Sequence, residues 1–370
     1  MSFVFTFLIA FLISLAAYPL VRRFAFFTNA ISVPKKERHI HSKPMPLMGG
    51  LAIIAGFLMA VLLNFLLNRN FVAGRELLGL VCGLAIIITM GLLDDIVELN
   101  PLFKIIFQVA AAVTAVLISG SRIEFFTDPG SLTSLILLNP VVSFLISIFW
   151  IVALTIAFNT IDGLDGLASG TGAIAAITLF AVSLLRPDAE FVGSYAAVIT
   201  IALAGACLGF LPFNFNPAKI FMGETGSAFI GFTLAVVSMQ GTLKSYTALS
   251  IFIPVVAFGL PLIDSVIAFV RRTIKGQPFY KGDRQHIHHK LTDDLGFSQR
   301  TTVLILYAAS IVLGTMSVIM ARSGMQNIGT LLIILGVILV AVIAFIYRPP
   351  KRLFSDTAET DDSINEVDDE

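Results

Sequence analysis

The chain of 370 residues is 57% hydrophobic and only 13% charged, with a mean hydropathy of +0.92. Its 24 Lys and Arg balance its 24 Asp and Glu. This composition excludes a soluble globular protein of the same length, and the absence of net basic charge leaves no nucleic-acid partner to expect.

Eleven nearly charge-free runs lie near 3–20, 48–67, 77–93, 102–119, 139–158, 167–185, 192–211, 228–243, 247–270, 301–321 and 327–347. Each approaches the length, about 20 residues, that a helix needs to cross a hydrocarbon core. Lipid offers no partners to the backbone, so the runs are expected to be helices, and no strand alternation is evident. The expected fold is all-α, a polytopic bundle of about 11 spans over residues 1–350 with a disordered acidic tail over 351–370.

The first run lacks a basic start and is followed by Arg22 and Arg23, as in an uncleaved first span. With 11 spans the loops alternate sides, and 18 Lys and Arg fall in 21–47, 94–104, 213–227, 271–300 and the tail from 348. The other side holds six. The positive-inside rule then places the N-terminus outside and the C-terminus in the cytoplasm. All five histidines and most carboxylates outside the tail share the cytoplasmic loops, which reads as one site built from several segments. Cys82 and Cys207 lie within apolar runs and suggest neither a disulfide nor a metal framework.

The first cytoplasmic loop offers His41-Ser-Lys43-Pro-Met-Pro-Leu-Met-Gly49-Gly50, a basic, turn-rich segment suited to an anion or to anionic lipid. Next, Asp94 and Asp95 stand side by side at the inner end of span three, with Glu98 close behind. Adjacent carboxylates at a membrane boundary are costly to hold charged unless a cation or donor compensates them. Between spans five and six comes Asn159-Thr-Ile-Asp162-Gly-Leu-Asp165-Gly166, whose two acids share a face in any helical turn and whose glycines admit close ligand approach. Then Asn214-Phe-Asn-Pro-Ala-Lys219-Ile-Phe221-Met-Gly223-Glu224-Thr-Gly226-Ser227 leads into span eight, where backbone N–H groups at a helix start could meet phosphate oxygens. Asp264, within span nine, suits either a packing contact or chemistry. The largest cytoplasmic loop carries Asp283-Arg284-Gln-His286-Ile-His288-His289-Lys290. No cysteine is nearby and Arg284 and Lys290 disfavour a zinc site there, whereas imidazoles beside these cations suit an anion such as a diphosphate.

These motifs resemble those of the polyprenyl-phosphate N-acetylhexosamine-1-phosphate transferases, and the resemblance runs over about residues 15–345. It rests on Asp94-Asp95, Asn159-x-x-Asp162-Gly-Leu-Asp165-Gly, Phe221-Met-Gly-Glu224-x-Gly-Ser and His286-Ile-His288-His289. The muramoyl-pentapeptide branch carries three consecutive histidines, whereas His-Ile-His-His resembles the branch that uses UDP-GlcNAc. The resemblance implies transfer of GlcNAc-1-phosphate from UDP-GlcNAc to undecaprenyl phosphate with release of UMP, a requirement for Mg²⁺, and a multi-pass location in a bacterial inner membrane with the active site facing the cytoplasm. O-antigen and teichoic acid synthesis are the kinds of envelope pathway such an enzyme supplies. A homodimer is left open.

By the same resemblance, Glu224 would bind the metal with Asp95 contributing, and Asp94 would be the base. Asn159, Asp162 and Asp165 would hold the nucleotide, Phe221 would stack on uracil, and Lys43, Arg284, His286, His288 and His289 would cradle the sugar or diphosphate, with His288 and His289 closest to the chemistry. Two positions depart from the family pattern. Glu224 stands where the family usually has Asp, one methylene longer, which could favour Mn²⁺; and Ser32-Val-Pro-Lys35 replaces Asp-x-Pro-Lys. A relative using another UDP-N-acetylhexosamine, a membrane transporter and a lipid-binding scaffold are the competing readings. A CDP-alcohol phosphatidyltransferase is excluded, because no further aspartate follows Asp165 until Asp188.

Overall fold

The computed structural model describes residues 2–32, 44–68, 74–128, 131–185, 192–241, 252–274, 276 and 286–323. The expected span at 327–347, the acidic tail, Lys43 and Arg284 lie outside these residues.

The chain begins with α1 (Phe3–Phe27), a short antiparallel pair β1 (Ile31–Ser32) and β2 (Met45–Pro46), and α2 (Gly50–Leu67). Helices α3 (Arg75–Val97) and α4 (Pro101–Ser119) follow, then the hairpin β3 (Phe125–Asp128) and β4 (Ser131–Leu137). Next come α5 (Pro140–Ile161), α6 (Leu167–Leu184), α7 (Val192–Asn214), α8 (Gly223–Gly241), α9 (Phe252–Ala257) and α10 (Gly259–Ile274). A single turn α11 (Ile287–His289), a π-type turn (Lys290–Asp294) and α12 (Gln299–Ser323) complete the described chain.

Eight of the described helices, α1 to α7 and α12, are long and apolar enough to cross a membrane. Three departures from the sequence expectation have physical causes. The two strand pairs were not expected; the strand formers Phe125, Phe126 and Thr127 of β3 and Thr133 and Ile136 of β4 flank Asp-Pro-Gly, a turn-forming tripeptide. Span nine is divided between α9 and α10, because Pro261 has no N–H to return to the Ala257 carbonyl. Helix α3 runs past its apolar stretch to Val97 and so takes Asp94 and Asp95 into its last turn, ending where Glu98 turns left-handed (φ 52°).

Local signals explain several starts. Asn100 and Asn139 each accept a backbone hydrogen bond, from Leu102 and Val141, and each precedes a proline at the first helical position. Helix α8 differs from its neighbours in being buried on every side: Phe229, Ile230, Phe232, Ala235, Val236 and Met239 are fully enclosed. It packs against α2, α3, α5, α6 and α7. A helix that is apolar all round belongs at the centre of a bundle.

The start of that central helix is held by α3. Asp95 Oδ1 accepts the Glu224 N–H at 2.8 Å, and Oδ2 accepts the Thr225 N–H at 3.3 Å and the Thr225 hydroxyl at 2.5 Å. These are two of the N–H groups that a helix start leaves without internal partners, and the carboxylate also suits the positive end of the helix dipole. Gly223 has φ +75°, and a Cβ there would come within 2.6 Å of the Asp95 oxygens, so only glycine fits.

Asp95→Ala would strand buried donors, each costing about 1–3 kcal/mol. The expected result is a loss of roughly 3 kcal/mol of stability, read as a lower unfolding midpoint in detergent. Asp94→Ala, whose carboxylate faces the bundle edge, should cost clearly less.

Candidate active site

The ends of α5 and α7 and the starts of α8 and α12 line a cavity of about 790 Å³, and α3 and α4 reach its edge through the contacts of Asp95 and Lys104 with Glu224. Asn159, Asp162, Asp165, Phe221, Glu224, Ser227 and His289 all line it. The first loop forms one wall through Ser32, Met45 and Leu47. It is laced to the motif before α8: Phe221 N–H donates to the Pro46 carbonyl (3.0 Å), Gly49 N–H to Phe221 (2.9 Å) and Gly50 N–H to Met222 (2.8 Å).

Five carboxylates gather here in distinct roles. Asp95, expected to contribute to a metal, instead has both oxygens committed to the start of α8. Asp94 accepts the Leu99 N–H (2.8 Å) and, through Oδ2, the Lys104 ammonium (2.8 Å). Lys104 also reaches Glu224 Oε2 at 3.0 Å, so one cation bridges two acids from different motifs. Glu224 Oε1 is buried without a hydrogen-bond partner. Asp165 accepts the Ala218 N–H and the Asn216 side-chain amide, each at 3.0 Å. Asp162 follows the last turn of α5; burial, then the charges of Glu224, Asp95 and Asp165, push its carboxyl up to about 8.

The histidines divide as well. His286 Nδ1 donates to Asp264 at 2.9 Å, and the Ile287 N–H donates to the other Asp264 oxygen at 2.8 Å. Asp264 is 3% exposed, so its part is to anchor the histidine turn onto α10. His288 stacks on His286 with centroids 5.7 Å apart and is 2% exposed. Its ring lies against Gly163, where there is no room for a Cβ. Burial and the neighbouring His289 lower its imidazole to about 3, so it is neutral at physiological pH. Of the three, His289 is the one that faces the cavity.

Sequence reasoning missed Lys104, Asn216 and Gln299. Lys104 was readable as the lone charge at the start of an apolar run, ten residues beyond Asp94. Gln299 carried no such signal, because only the packing of α12 brings it to the cavity.

Among the described residues, no three His, Cys, Asp or Glu side chains close into a complete metal cage. The residues nevertheless fit a hard divalent cation. Glu224 Oε1 is an orphaned buried acceptor, Asp162 makes no side-chain hydrogen bond among the described residues, and both face the cavity. Magnesium is commonly held by one or two carboxylates together with substrate phosphates.

His288 also sets a pH signature. Its folded-state value lies below the ordinary value of 6.5, so its contribution is complete above pH 6.5 and is lost as pH falls toward 3. Detergent unfolding should show stability falling by up to about 1.4 kcal/mol per pH unit below 6.5 from this group. That slope should flatten in His288→Gln; an unchanged slope would assign the effect elsewhere.

A model described as glycosyl transferase family 4 matches residues 77–242. A probable undecaprenyl-phosphate N-acetylglucosaminyl 1-phosphate transferase of Bacillus subtilis (strain 168) is 34% identical over 343 residues, covering 92% of this chain and 91% of its own. A decaprenyl-phosphate N-acetylglucosaminephosphotransferase of Mycobacterium tuberculosis (strain CDC 1551 / Oshkosh) is 38% identical over 304 residues, 78% of this chain and 74% of its own. More distant is a phospho-N-acetylmuramoyl-pentapeptide-transferase of Desulforudis audaxviator (strain MP104C), 27% identical over 347 residues, 87% of this chain and 97% of its own. Near end-to-end similarity, apolar helices and a carboxylate-lined cavity agree, and the chain belongs to glycosyl transferase family 4 as a membrane-embedded polyprenyl-phosphate N-acetylhexosamine-1-phosphate transferase.

Proposed function

We propose that this chain transfers GlcNAc-1-phosphate from UDP-GlcNAc to undecaprenyl phosphate, giving undecaprenyl-diphosphate-GlcNAc and UMP, at the cytoplasmic face of a bacterial inner membrane. The observation that carries this reading is the cavity itself: about 790 Å³, the size of a small-molecule site, with Asp162, Asp165 and Glu224 facing it at one end of an apolar bundle. A water-soluble donor can enter such a cavity while the acceptor stays in the membrane. The names of the Bacillus and Mycobacterium relatives support GlcNAc as the sugar and a polyprenyl phosphate as the acceptor. An envelope glycan of the O-antigen or teichoic acid kind is the destination that such a product fits.

In the reaction a lipid phosphate oxygen attacks the β-phosphorus of the donor. The bond from that phosphorus to the bridging oxygen breaks, and UMP leaves with the electron pair. Glu224 and Asp162 would hold Mg²⁺, or Mn²⁺ on the same oxygen donors, together with the donor phosphates. When bound, the cation neutralises the diphosphate and stabilises the departing UMP.

The chain's own residues do the rest. Lys104 places positive charge between Asp94 and Glu224, where two carboxylates would otherwise repel an incoming phosphate. Asp94 is the acid nearest that cation and the candidate acceptor for any proton left on the lipid phosphate. A phosphate monoester has a second pKa of about 6 and is mostly dianionic already, so this contribution is small. Asp95 works through α8 by fixing the backbone that presents Glu224. His289 offers its imidazole to the cavity.

Membranes carrying the chain should convert radiolabelled UDP-GlcNAc and undecaprenyl phosphate into a solvent-extractable labelled lipid, with UMP released and activity abolished by a chelator. No product, or a product indifferent to chelation, would contradict the proposal. Competition among UDP-GlcNAc, UDP-GalNAc and UDP-MurNAc-pentapeptide reports the sugar.

Glu224→Asp should keep metal-dependent turnover, whereas Glu224→Ala should lose about 10²–10³-fold in kcat, the scale of removing one electrostatic group from an active site. Equal activity in both variants would remove Glu224 from the metal site.

A further inference from the structure

Asp165 belongs to a chain of side-chain hydrogen bonds that none of the motifs predicts. Its Oδ2 accepts from Asn216 Nδ2 at 3.0 Å, and the same Nδ2 donates to Gln299 Oε1 at 2.6 Å. The Asn216 carbonyl in turn accepts Arg300 Nε at 3.0 Å, which ties the segment before α8 to the first turn of α12. Asn216 and Gln299 both line the cavity.

The direction of these bonds is set from one end. A carboxylate only accepts, so Asn216 must turn its NH₂ toward Asp165, and Gln299 must then turn its carbonyl toward Asn216. Two groups are left over. The Gln299 NH₂ and Asp165 Oδ1 have no hydrogen-bond partner among the described residues. The cavity therefore holds a donor and an acceptor that share Asn216 as their common support. The Asp165 charge beside them repels phosphate, so the matching ligand edge is neutral and carries an acceptor next to a donor. Uracil presents such an edge in its imide, and ribose in its paired hydroxyls.

We propose that Gln299 is a specificity-determining residue for the uridine half of the donor, and that Asn216 is a positioning residue aiming both Gln299 and Asp165. This rests on the UDP-sugar reading above. Gln299 is half-buried in the first turn of α12, where alanine is well tolerated by a helix.

The test is calorimetric titration of the purified full-length chain in detergent with UMP, which needs no turnover. Gln299→Ala should weaken UMP binding about tenfold, the effect of losing one well-placed hydrogen bond, and Gln299→Glu should weaken it at least as much. Asn216→Asp, which sets a second acceptor against Asp165, should match the loss, whereas Asn216→Gln should restore part of it. The KM for UDP-GlcNAc should rise in parallel while the KM for the lipid phosphate stays within about twofold. Loss of discrimination against 3-methyl-UMP would identify the base as the partner, and against 2′-deoxy-UMP the ribose. Unchanged UMP affinity in Gln299→Ala would overturn the inference, whether or not the KM for UDP-GlcNAc rises, as would an equal rise in the KM for the lipid phosphate. If the wild-type chain binds UMP yet makes no lipid-linked GlcNAc, the transferase reading fails and the role of Gln299 in uridine binding does not.

Discussion

Much of this structure depends on one buried carboxylate meeting one helix start. Asp95, 7% exposed near the end of α3, takes the Glu224 and Thr225 N–H groups at the head of α8, a helix enclosed on all sides. The Thr225 N–H is fully enclosed and cannot turn to water for a partner, so a fixed acceptor must be supplied from a neighbour. The same contact sets where Glu224 can point. Packing and chemistry thus share one interaction, and the adjacent acids Asp94 and Asp95 divide the work. One secures the bundle centre, and the other faces Lys104 at its edge.

Charge balance at the cavity follows from that placement. Lys104 offsets Asp94 and one oxygen of Glu224, whereas Asp162 and the other Glu224 oxygen are left without a cation or donor. Burying uncompensated carboxylates is costly, and the raised carboxyl of Asp162 expresses that cost. A divalent ion arriving with a diphosphate would relieve it. Glu224 is one methylene longer than an aspartate, and Lys104 meets its Oε2 at 3.0 Å.

The apolar spans and their polar ends were legible because both obey simple rules: long charge-free runs become helices, and charges leave the hydrocarbon. Asn159, Asp162, Asp165, Phe221, Glu224 and His289 were legible for the same reason, each standing in a polar island between such runs. What each acid does was not. Asp94 and Asp95 are chemically identical neighbours, and only the rotation of the last turn of α3 separates a helix cap from an ion-paired acid. His286 reads as substrate-binding and His288 as catalytic, yet one is anchored by Asp264 from 22 residues away and the other is packed against Gly163. Gln299 depends wholly on tertiary packing. The short hairpin β3–β4 lacks the apolar–polar alternation that announces strands.

The claim that Glu224 and Asp162 form the cation-binding face while Asp95 serves the fold can be tested directly with Mn²⁺. Electron paramagnetic resonance of the purified chain with UDP should show one bound ion, lost in Glu224→Gln and weakened in Asp162→Asn. In Asp95→Asn the ion should be retained wherever the protein remains folded. Equal Mn²⁺ binding in wild type and Glu224→Gln, or loss confined to a folded Asp95→Asn, would contradict the account.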